Sequence, residues 1–389
     1  MKARVLGFVA AASFVAAAGA TPPSFTSIEI TSLGGPQGNI SAAGINNHGD
    51  ISGTSQYPAG SSAPGDSGVF IYHHSSGVVV ALNGTSGGGL NDADSVAGEW
   101  VNPSPEAVVW SKNGGVQILP SNGDFATAGA ISNDGDVVGN IDNGHFEGTA
   151  VMWTFRPSLH MVSLGVLWSD PTLSGYAAST ADGINRLSHI TGGSTAGTGT
   201  TPDTAVEFGN HAFIYRNGKM TDLGALALSG NGSDNSEGLS INNLDQVVGY
   251  STTAIPELST TGQPCSDCSV ASHAFLWSAG KMKDLGTLSF PGWDSQALSI
   301  NDSGEIVGLS ASIVNGTETN RAFLYVDGQM LNLQFYVYDR DPNVRLTRAV
   351  GINCQGWIAA NGYNITKPNV NRTYLLIRRG PPRTQCGPG

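Results

Sequence analysis

Hydrophobic and polar residues alternate in short runs along most of the chain, and turns rich in Gly, Asn and Asp separate the runs. One clear group of four runs comprises Ser295–Ile300, Glu305–Ser310, Arg321–Tyr325 and Gln329–Leu333. A period of two is typical of half-buried β-strands, and the connections Asn301–Gly304 and Asp327–Gly328 carry the residue types of tight turns. The pattern predicts a unit of four antiparallel strands.

This unit recurs along the chain. The turn between its first two runs carries the motif Ile-Asn-x-x-x-x-(Val/Ile)-x-Gly, which appears with variations at intervals of roughly fifty residues. The copies are INNHGDISG (45–53), LNDADSVAG (90–98), ISNDGDVVG (131–139), INRLSHITG (184–192), INNLDQVVG (241–249), INDSGEIVG (300–308) and INCQGWIAA (352–360). Seven units of four strands predict an all-β fold, a seven-bladed β-propeller with four-stranded antiparallel blades.

The two ends of the chain complement each other. Arg372–Leu376 supplies a third strand after the seventh motif, but a Pro-rich stretch follows and no fourth strand is evident. Phe25–Gly34 resembles a fourth strand with no strands before it. We therefore expect the N-terminal strand to close the ring, which removes exposed sheet edges, whereas an open solenoid would need caps at both ends. The predicted propeller domain spans residues 21–380, and residues 381–389 form a tail.

Residues 1–20 have the organisation of a signal peptide. Lys2 and Arg4 precede the apolar stretch Val5–Ala18, and Ala18-Gly19-Ala20 fits the small-residue cleavage pattern. The alternative is an uncleaved membrane anchor, but the stretch is short for a bilayer. We expect a secreted, extracellular protein without membrane insertion.

Composition and charge narrow the classes of partner. Charged residues make up only 12% of the chain, Gly accounts for 53 residues, and the formal net charge is −12. Such a surface repels nucleic acids and anionic lipids, so no nucleic-acid partner is expected. We expect a monomer, and the sequence indicates no cofactor.

Four cysteines occur in two groups. Cys265 and Cys268 form a C-x2-C pair inside a long polar insert, whereas Cys354 and Cys386 lie far apart in sequence. A zinc site would need all four to converge, or histidines at ligand spacing, and secretion favours disulfides instead. We predict no metal site and the pairs 265–268 and 354–386, although sequence alone does not determine connectivity.

Three segments carry a resemblance to a known family. HAFLW (273–277), KMKDLGTL (281–288) and SINDSGEIVGLS (299–310) resemble the repeats of the HAF family of presumed extracellular repeat proteins, which occur mainly in bacteria. The resemblance covers nearly the whole mature chain, and it is weaker in the first three units, where GVF, EAV and TAV replace His-Ala-Phe. It implies secretion or surface display by a bacterium, but no reaction and no functional residues. Because His211 and His273 have no histidine counterparts in the other units, we interpret them as structural.

The predicted site lies at one mouth of the central channel. The first strand of each blade should line the channel, and the residue five positions before the motif Asn should lie at its rim. These residues are Ser41, Ser86, Thr127, Thr180, Glu237, Gln296 and Arg348. Nearby connectors contribute Trp168, Tyr176 and Trp293. Aromatic rings beside polar groups suit carbohydrate, but they also serve as packing between blades. Small residues four and two positions before the Asn predict a narrow channel.

Two functions remain open. The first is a non-enzymatic binding or scaffold protein that holds a glycan or an extracellular protein with its loop-rich face and channel mouth. The alternative is an extracellular glycoside hydrolase or lyase with carboxylates at the channel mouth. The acids in suitable connectors are Asp170, Glu237, Asp294, Asp339 and Asp341, and nothing in their spacing marks a pair. We therefore predict no catalytic residues.

Overall fold

Seven four-stranded antiparallel sheets make up the fold. The computed structural model describes residues 22–57, 67–82, 84–101, 104–113, 115–142, 148–168, 177–197, 208–227, 234–257, 270–289, 293–314 and 317–380. Among these residues, no helix is both long enough and apolar enough to cross a membrane. The predicted signal peptide and C-terminal tail lie outside these ranges.

Each sheet is one blade, and the first strand of each blade contacts the first strands of both neighbouring blades, so that seven strands surround a central channel. The strands of blades 1 to 3 are β2 (Ile40–Ile45), β3 (Ile51–Gln56), β4 (Ser67–His73), β5 (Val78–Leu82); β6 (Ser86–Leu90), β7 (Val96–Val101), β8 (Pro105–Trp110), β9 (Val116–Ile118); and β10 (Phe125–Ile131), β11 (Val137–Asp142), β12 (Gly148–Thr154), β13 (His160–Gly165). Those of blades 4 and 5 are β14 (Ser179–Ile184), β15 (Ile190–Gly197), β16 (Phe208–Arg216), β17 (Lys219–Asp222); and β18 (Ser236–Ile241), β19 (Val247–Pro256), β20 (Val270–Ser278), β21 (Lys281–Asp284). Those of blades 6 and 7 are β22 (Ser295–Ile300), β23 (Ile306–Val314), β24 (Thr317–Val326), β25 (Gln329–Asn332); and β26 (Val344–Ile352), β27 (Ile358–Asn364), β28 (Lys367–Arg379), β1 (Ser24–Ile30). The predicted seven-bladed propeller is confirmed.

The N-terminal strand closes the ring as predicted. β1 pairs antiparallel with β28, from Ser24 opposite Arg379 to Ile30 opposite Thr373. A short 3-10 helix, Leu333–Tyr336, leads to a segment that covers the outer edge of β1, where Asp339 accepts hydrogen bonds from both the amide and the hydroxyl of Ser27. The closing strand is therefore held on both of its edges.

The motif Asn links each blade to the next. In Asn301, for example, Oδ1 accepts the backbone N–H groups of Ser303 and Glu305, and Nδ2 donates to the carbonyl oxygen of Asn353 in the next blade at 3.1 Å. Equivalent inter-blade bonds start from Asn46, Asn91, Asn185, Asn242 and Asn353. We call this ring of buried side chains the asparagine belt. In blade 3, Ser132 takes the place of the motif Asn, and its hydroxyl accepts the N–H of Asp136 within its own turn.

The motif Gly is required by a close backbone approach. A Cβ atom on Gly308 would lie 1.9 Å from the carbonyl oxygen of Gln296, and the equivalent glycines of blades 1 to 5 face the same obstacle. Blade 7 carries Ala360 at this position, and its first strand has a second β-bulge between Leu346 and Arg348. The close approach there moves to Gly362, two residues further along.

The His-Ala-Phe and Asp-Leu-Gly segments also serve the fold. His273 Nδ1 lies 2.9 Å and 3.0 Å from the two carboxylate oxygens of Asp284 on the neighbouring strand, and His211 and Asp222 repeat this pair. The Ala274 amide donates to the hydroxyl of Ser295 in the next blade. The phenylalanines of these segments are completely buried between blades. These contacts agree with a structural interpretation of both histidines.

Candidate functional site

The predicted rim residues occupy equivalent positions near the start of each first strand, opposite the end that carries the asparagine belt. We call the end of the channel at the rim residues the loop face, and the end at the asparagine belt the turn face. Ser41, Ser86 and Arg348 are exposed, and the other four rim side chains are half-buried. The ring is therefore accessible to a ligand that approaches the loop face.

A β-bulge in every first strand shapes the channel wall. The pairing with the second strand shifts register between residues four and two positions before the motif Asn, for instance between Ala181 and Gly183 in blade 4. A bulge re-aims the side chain of the extra residue, and here that residue lines the channel. A cavity of about 200 Å³ lies at this level of the ring. Asp182 is the bulge residue of blade 4 and the one ionisable side chain among the described residues that line the cavity.

Asp182 belongs to a polar cluster that spans blades 4 and 5. Its Oδ2 accepts a hydrogen bond from the hydroxyl of Thr180 at 3.2 Å. In blade 5, the Tyr250 hydroxyl donates to Oε2 of Glu237, its cross-strand partner. All four side chains are half-buried. We call these residues, Thr180, Asp182, Glu237 and Tyr250, the channel cluster.

The surroundings of the channel cluster shift the pKa of two of its side chains, Asp182 and Tyr250. Burial in the channel wall and, secondly, the negative charge of Glu237 raise the pKa of Asp182 to about 7, although the bond from Thr180 acts in the opposite direction. Burial and the neighbouring Glu237 also raise the pKa of Tyr250, which therefore keeps its proton and acts as a hydrogen-bond donor near neutral pH. The cluster thus offers both donors and acceptors at the loop-face mouth.

The predicted aromatic residues are less accessible than the rim. Trp293 is buried, with 5% of its surface exposed, so it offers no stacking face in this conformation. Trp168 is half-buried, and Tyr176 lies outside the described residues. Tyr250 brings an aromatic ring to the rim, because it is the cross-strand partner of Glu237.

Most of the connector acids serve the fold. Asp294 accepts the N–H of Ser272, and Asp339 holds β1. Asp170 lies outside the described residues. Glu237 is placed beside another carboxyl group, that of Asp182.

Sequence reasoning missed Asp182 and Tyr250. An available signal was the position three residues before the motif Asn. The other blades have Ala43, Gly88, Gly129, Leu239, Leu298 and Val350 there. An acid at a position that is otherwise small or apolar departs from the repeat.

Two further features bear on metal and cysteine chemistry. Among the described residues, His48, Asp50 and Asp94 place one possible ligand atom each within 4.8 Å of one another at the turn face. Asp50, however, is already engaged by the His74 amide at 2.7 Å. The Cys354 amide donates to Asn47 in blade 1, whereas Cys265, Cys268 and Cys386 lie outside the described residues. Both disulfide pairs therefore stay predictions.

Comparison with known proteins gives fold-level likenesses. No family model and no curated protein matches the chain. Among solved structures, an ulvan lyase of polysaccharide lyase family PL25 has 11% identity and a TM-score of 0.46 over 92% of this chain and 96% of that chain. The same kind of lyase bound to -[GlcA(1-4)Rha3S]- has 10% identity and a TM-score of 0.45, with the same coverage of both chains. A prolyl endopeptidase has 12% identity and a TM-score of 0.44 over 76% of this chain and 42% of that chain.

Proposed function

We propose that this protein is a secreted binding protein that holds a glycan at the loop-face mouth of its channel. The observation that carries the proposal is the channel cluster: Asp182 lines a cavity of about 200 Å³ and accepts a hydrogen bond from Thr180. In the adjacent blade, Tyr250 donates to Glu237, whose negative charge acts on Asp182. Binding sites typically combine a small number of placed polar groups with an otherwise apolar wall. Sugar hydroxyls both donate and accept hydrogen bonds, which matches the mixed donors and acceptors of the cluster.

The extracellular location belongs to the same proposal. It is supported by the signal-like N-terminus, the negative charge of −12 and the resemblance to HAF repeats. An extracellular protein partner on the loop face is the alternative ligand. Fractionation of the producing culture tests the location, and an intracellular mature chain would contradict it.

A glycan-array screen of residues 21–389 tests the binding function. We expect a specific hit that Glu237→Gln weakens, because this change removes the carboxylate that orders Tyr250. Gly129→Leu should abolish binding, since the nearest atom to a Cβ on Gly129 is the Ala181 oxygen at 4.0 Å and the added side chain has room to fill the channel. The matched control is Glu99→Gln, which also removes an acid near the rim but lies in blade 2. No hit on the array, or hits that survive Gly129→Leu, would contradict the proposal.

A carbohydrate-active enzyme is the second candidate, and one observation favours it. Glycoside hydrolases use two carboxyl groups in different protonation states, one as acid and one as base or nucleophile. Asp182, with its pKa raised to about 7, lies beside Glu237. Release of reducing ends from a panel of polysaccharides, lost in Asp182→Asn, would support this candidate. Binding of a polysaccharide without its cleavage would contradict this candidate and favour the binding protein.

A further inference from the structure

Adjacent blades meet at a fixed place on the turn face, which we call the seam. The residue four places after the motif Asn in one blade lies against the residue three places after the motif Asn in the next. Between blades 4 and 5, for example, His189 Nδ1 lies 2.7 Å from Asp245 Oδ1. Between blades 1 and 2, Asp50 and Asp94 occupy these places. Of the seven seams, all of which the structure describes, this is the one where both residues are acids.

Each of the other seams with an acid at this place also holds an arginine. The ion pairs are Arg156 with Asp136 at 2.9 Å, Arg216 with Asp245 at 3.1 Å, and Arg378 with Glu305 at 2.7 Å. Among the described residues, no Lys or Arg nitrogen lies within 4.0 Å of Asp50 or Asp94, and the charge of Lys112 acts on Asp94 from beyond that distance. The first seam thus has two acids and no permanent cation at ion-pair distance.

Two histidines stand where this seam lacks an arginine. His73 occupies the repeat position that Arg216 occupies in blade 4, and its Nδ1 lies 3.7 Å from Asp50 Oδ2. His48, on the turn of blade 1, places a ring nitrogen within 4.8 Å of a carboxylate oxygen of Asp50 and of one of Asp94. Imidazole and carboxylate groups are both common ligands of transition metals. The seam therefore gathers a mixed set of metal ligands from two blades.

Asp50 has one oxygen held in place and one oxygen available to a cation. The side chain is buried, and its Oδ1 accepts the His74 amide at 2.7 Å. Its Oδ2 lies 3.5 Å from Asn46 Nδ2 and 3.7 Å from His73 Nδ1, both beyond the usual length of a hydrogen bond. Carboxylates that bind a metal are ordinarily oriented by a hydrogen bond of this kind. The His74 amide thus orients Asp50 without excluding a metal ion.

We propose that a zinc ion binds at the seam of blades 1 and 2. Its ligands are a nitrogen of His48, one oxygen each from Asp50 and Asp94, and His73 as the fourth ligand. Four nitrogen and oxygen ligands complete the tetrahedral coordination of a structural zinc site. The two positive charges of the ion balance the two carboxylates. Calcium and magnesium favour sets of oxygen ligands, so the two imidazoles select zinc.

The site differs in place and role from the channel cluster. It lies on the turn face, and its ligands come from two blades, so the bound ion would cross-link blades 1 and 2 and stabilise the folded chain. Tetrahedral ligands about 2.1 Å from zinc lie roughly 3.4 Å from one another, so modest side-chain rotations bring the group together. The sequence predicted no metal site, because only the contact between two blades assembles these ligands.

Equilibrium dialysis of residues 21–389, carrying no histidine tag, against Zn²⁺ tests the inference. We expect one zinc ion per chain. His48→Gln and Asp94→Asn should each weaken binding by about tenfold or more, since loss of even an outer-shell partner of a metal ligand typically costs about 10- to 100-fold. His48 is exposed, so His48→Gln should fold even if Asp94→Asn does not. Zinc should also raise the melting temperature of the wild type but not that of His48→Gln.

Two controls separate this site from other zinc ligands of the chain. Asp245→Asn removes the acid that occupies the place of Asp94 in the seam of blades 4 and 5, and it should leave zinc binding unchanged. Replacing both Cys265 and Cys268 by Ser removes the C-x2-C pair and should also leave zinc binding unchanged.

The outcomes decide the proposal. Zinc binding that His48→Gln weakens and both controls retain supports a site at the first seam. Absence of zinc binding by the wild type overturns the proposal. Binding that His48→Gln and Asp94→Asn leave unchanged, or that the double cysteine variant abolishes, places the ion elsewhere and also overturns it.

Discussion

The asparagine belt makes a quantitative prediction for a single side chain. Asn301 is buried, and its amide group makes four hydrogen bonds at 3.0 to 3.1 Å. Two satisfy backbone N–H groups of its own turn, one reaches Glu305, and one reaches the next blade. Asn301→Ala removes all four of these hydrogen bonds.

The cost follows from the number of partners that lose their bonds. The buried N–H group of Glu305 at roughly 2 to 3 kcal/mol, the half-buried N–H group of Ser303 at roughly 1 kcal/mol and roughly 1 kcal/mol for the inter-blade bond give a loss of about 4 kcal/mol in the free energy of unfolding. Asn301→Ser is the matched control, because Ser132 occupies the same position in blade 3 and accepts the Asp136 N–H at 3.1 Å. Serine should keep one turn bond and lose the inter-blade bond, at about 2 kcal/mol.

Urea unfolding of the wild type and both variants, followed by tryptophan fluorescence, measures these differences. We expect the midpoints to fall in the order wild type, Asn301→Ser, Asn301→Ala. The argument fails if Asn301→Ala stays within about 0.5 kcal/mol of the wild type, a change typical of an ordinary surface substitution. Equal losses for Ser and Ala would also contradict it, since the retained turn bond would then contribute nothing.

Three further predictions concern the repeat. Burial alone would raise the pKa of Asp284, but hydrogen bonds from His273 and from a backbone amide lower it overall. The native state then binds fewer protons than the unfolded chain. The stability that this pair contributes is therefore present above the ordinary Asp pKa and is lost as the pH falls through the lowered pKa of Asp284. His273→Ala should move acid unfolding, followed by circular dichroism, to higher pH. Gly308→Ala places a Cβ 1.9 Å from a backbone oxygen and should cost at least about 1 to 3 kcal/mol in urea unfolding. Ser132→Asn should add the missing hydrogen bond from blade 3 to blade 4 and raise the free energy of unfolding by about 1 kcal/mol. An unchanged urea midpoint would contradict this prediction, because the spacing of blades 3 and 4 would then not allow the bond.

The repeat made the architecture predictable from sequence. The runs at Ser295–Ile300 and Gln329–Leu333 correspond to β22 and β25 within one residue, and the turn at Asp327–Gly328 has the two positive φ angles of a tight hairpin. Alternation and turn chemistry are local properties, so a single sequence displays them. Ring closure was predictable because an unfilled strand position at one end matched an extra strand at the other.

The candidate site was only partly predictable. Glu237 was expected at the rim from its place in the repeat, but its neighbour Asp182 depends on a β-bulge that turns one extra residue into the channel. Periodicity with a strict period of two does not locate such a bulge. For Trp293 the sequence left open both carbohydrate binding and packing between blades, and the side chain is buried.

A repeat protein carries its own reference, since each blade shows what the fold requires at a given position. The belt position is Asn in six blades, and the exception, Ser132, leaves the link to blade 4 unmade among the described bonds. The bulge residue is small or apolar in six blades, and the exception is Asp182 in blade 4 itself. Gly129, the bulge residue of blade 3, leaves open space beside it. Two departures from the repeat, Ser132 and Asp182, thus lie in the adjacent blades 3 and 4, whereas Ala360 and the second β-bulge lie in blade 7. The shared fold does not require Asp182, because the other six blades form the same β-bulge with a small or apolar residue.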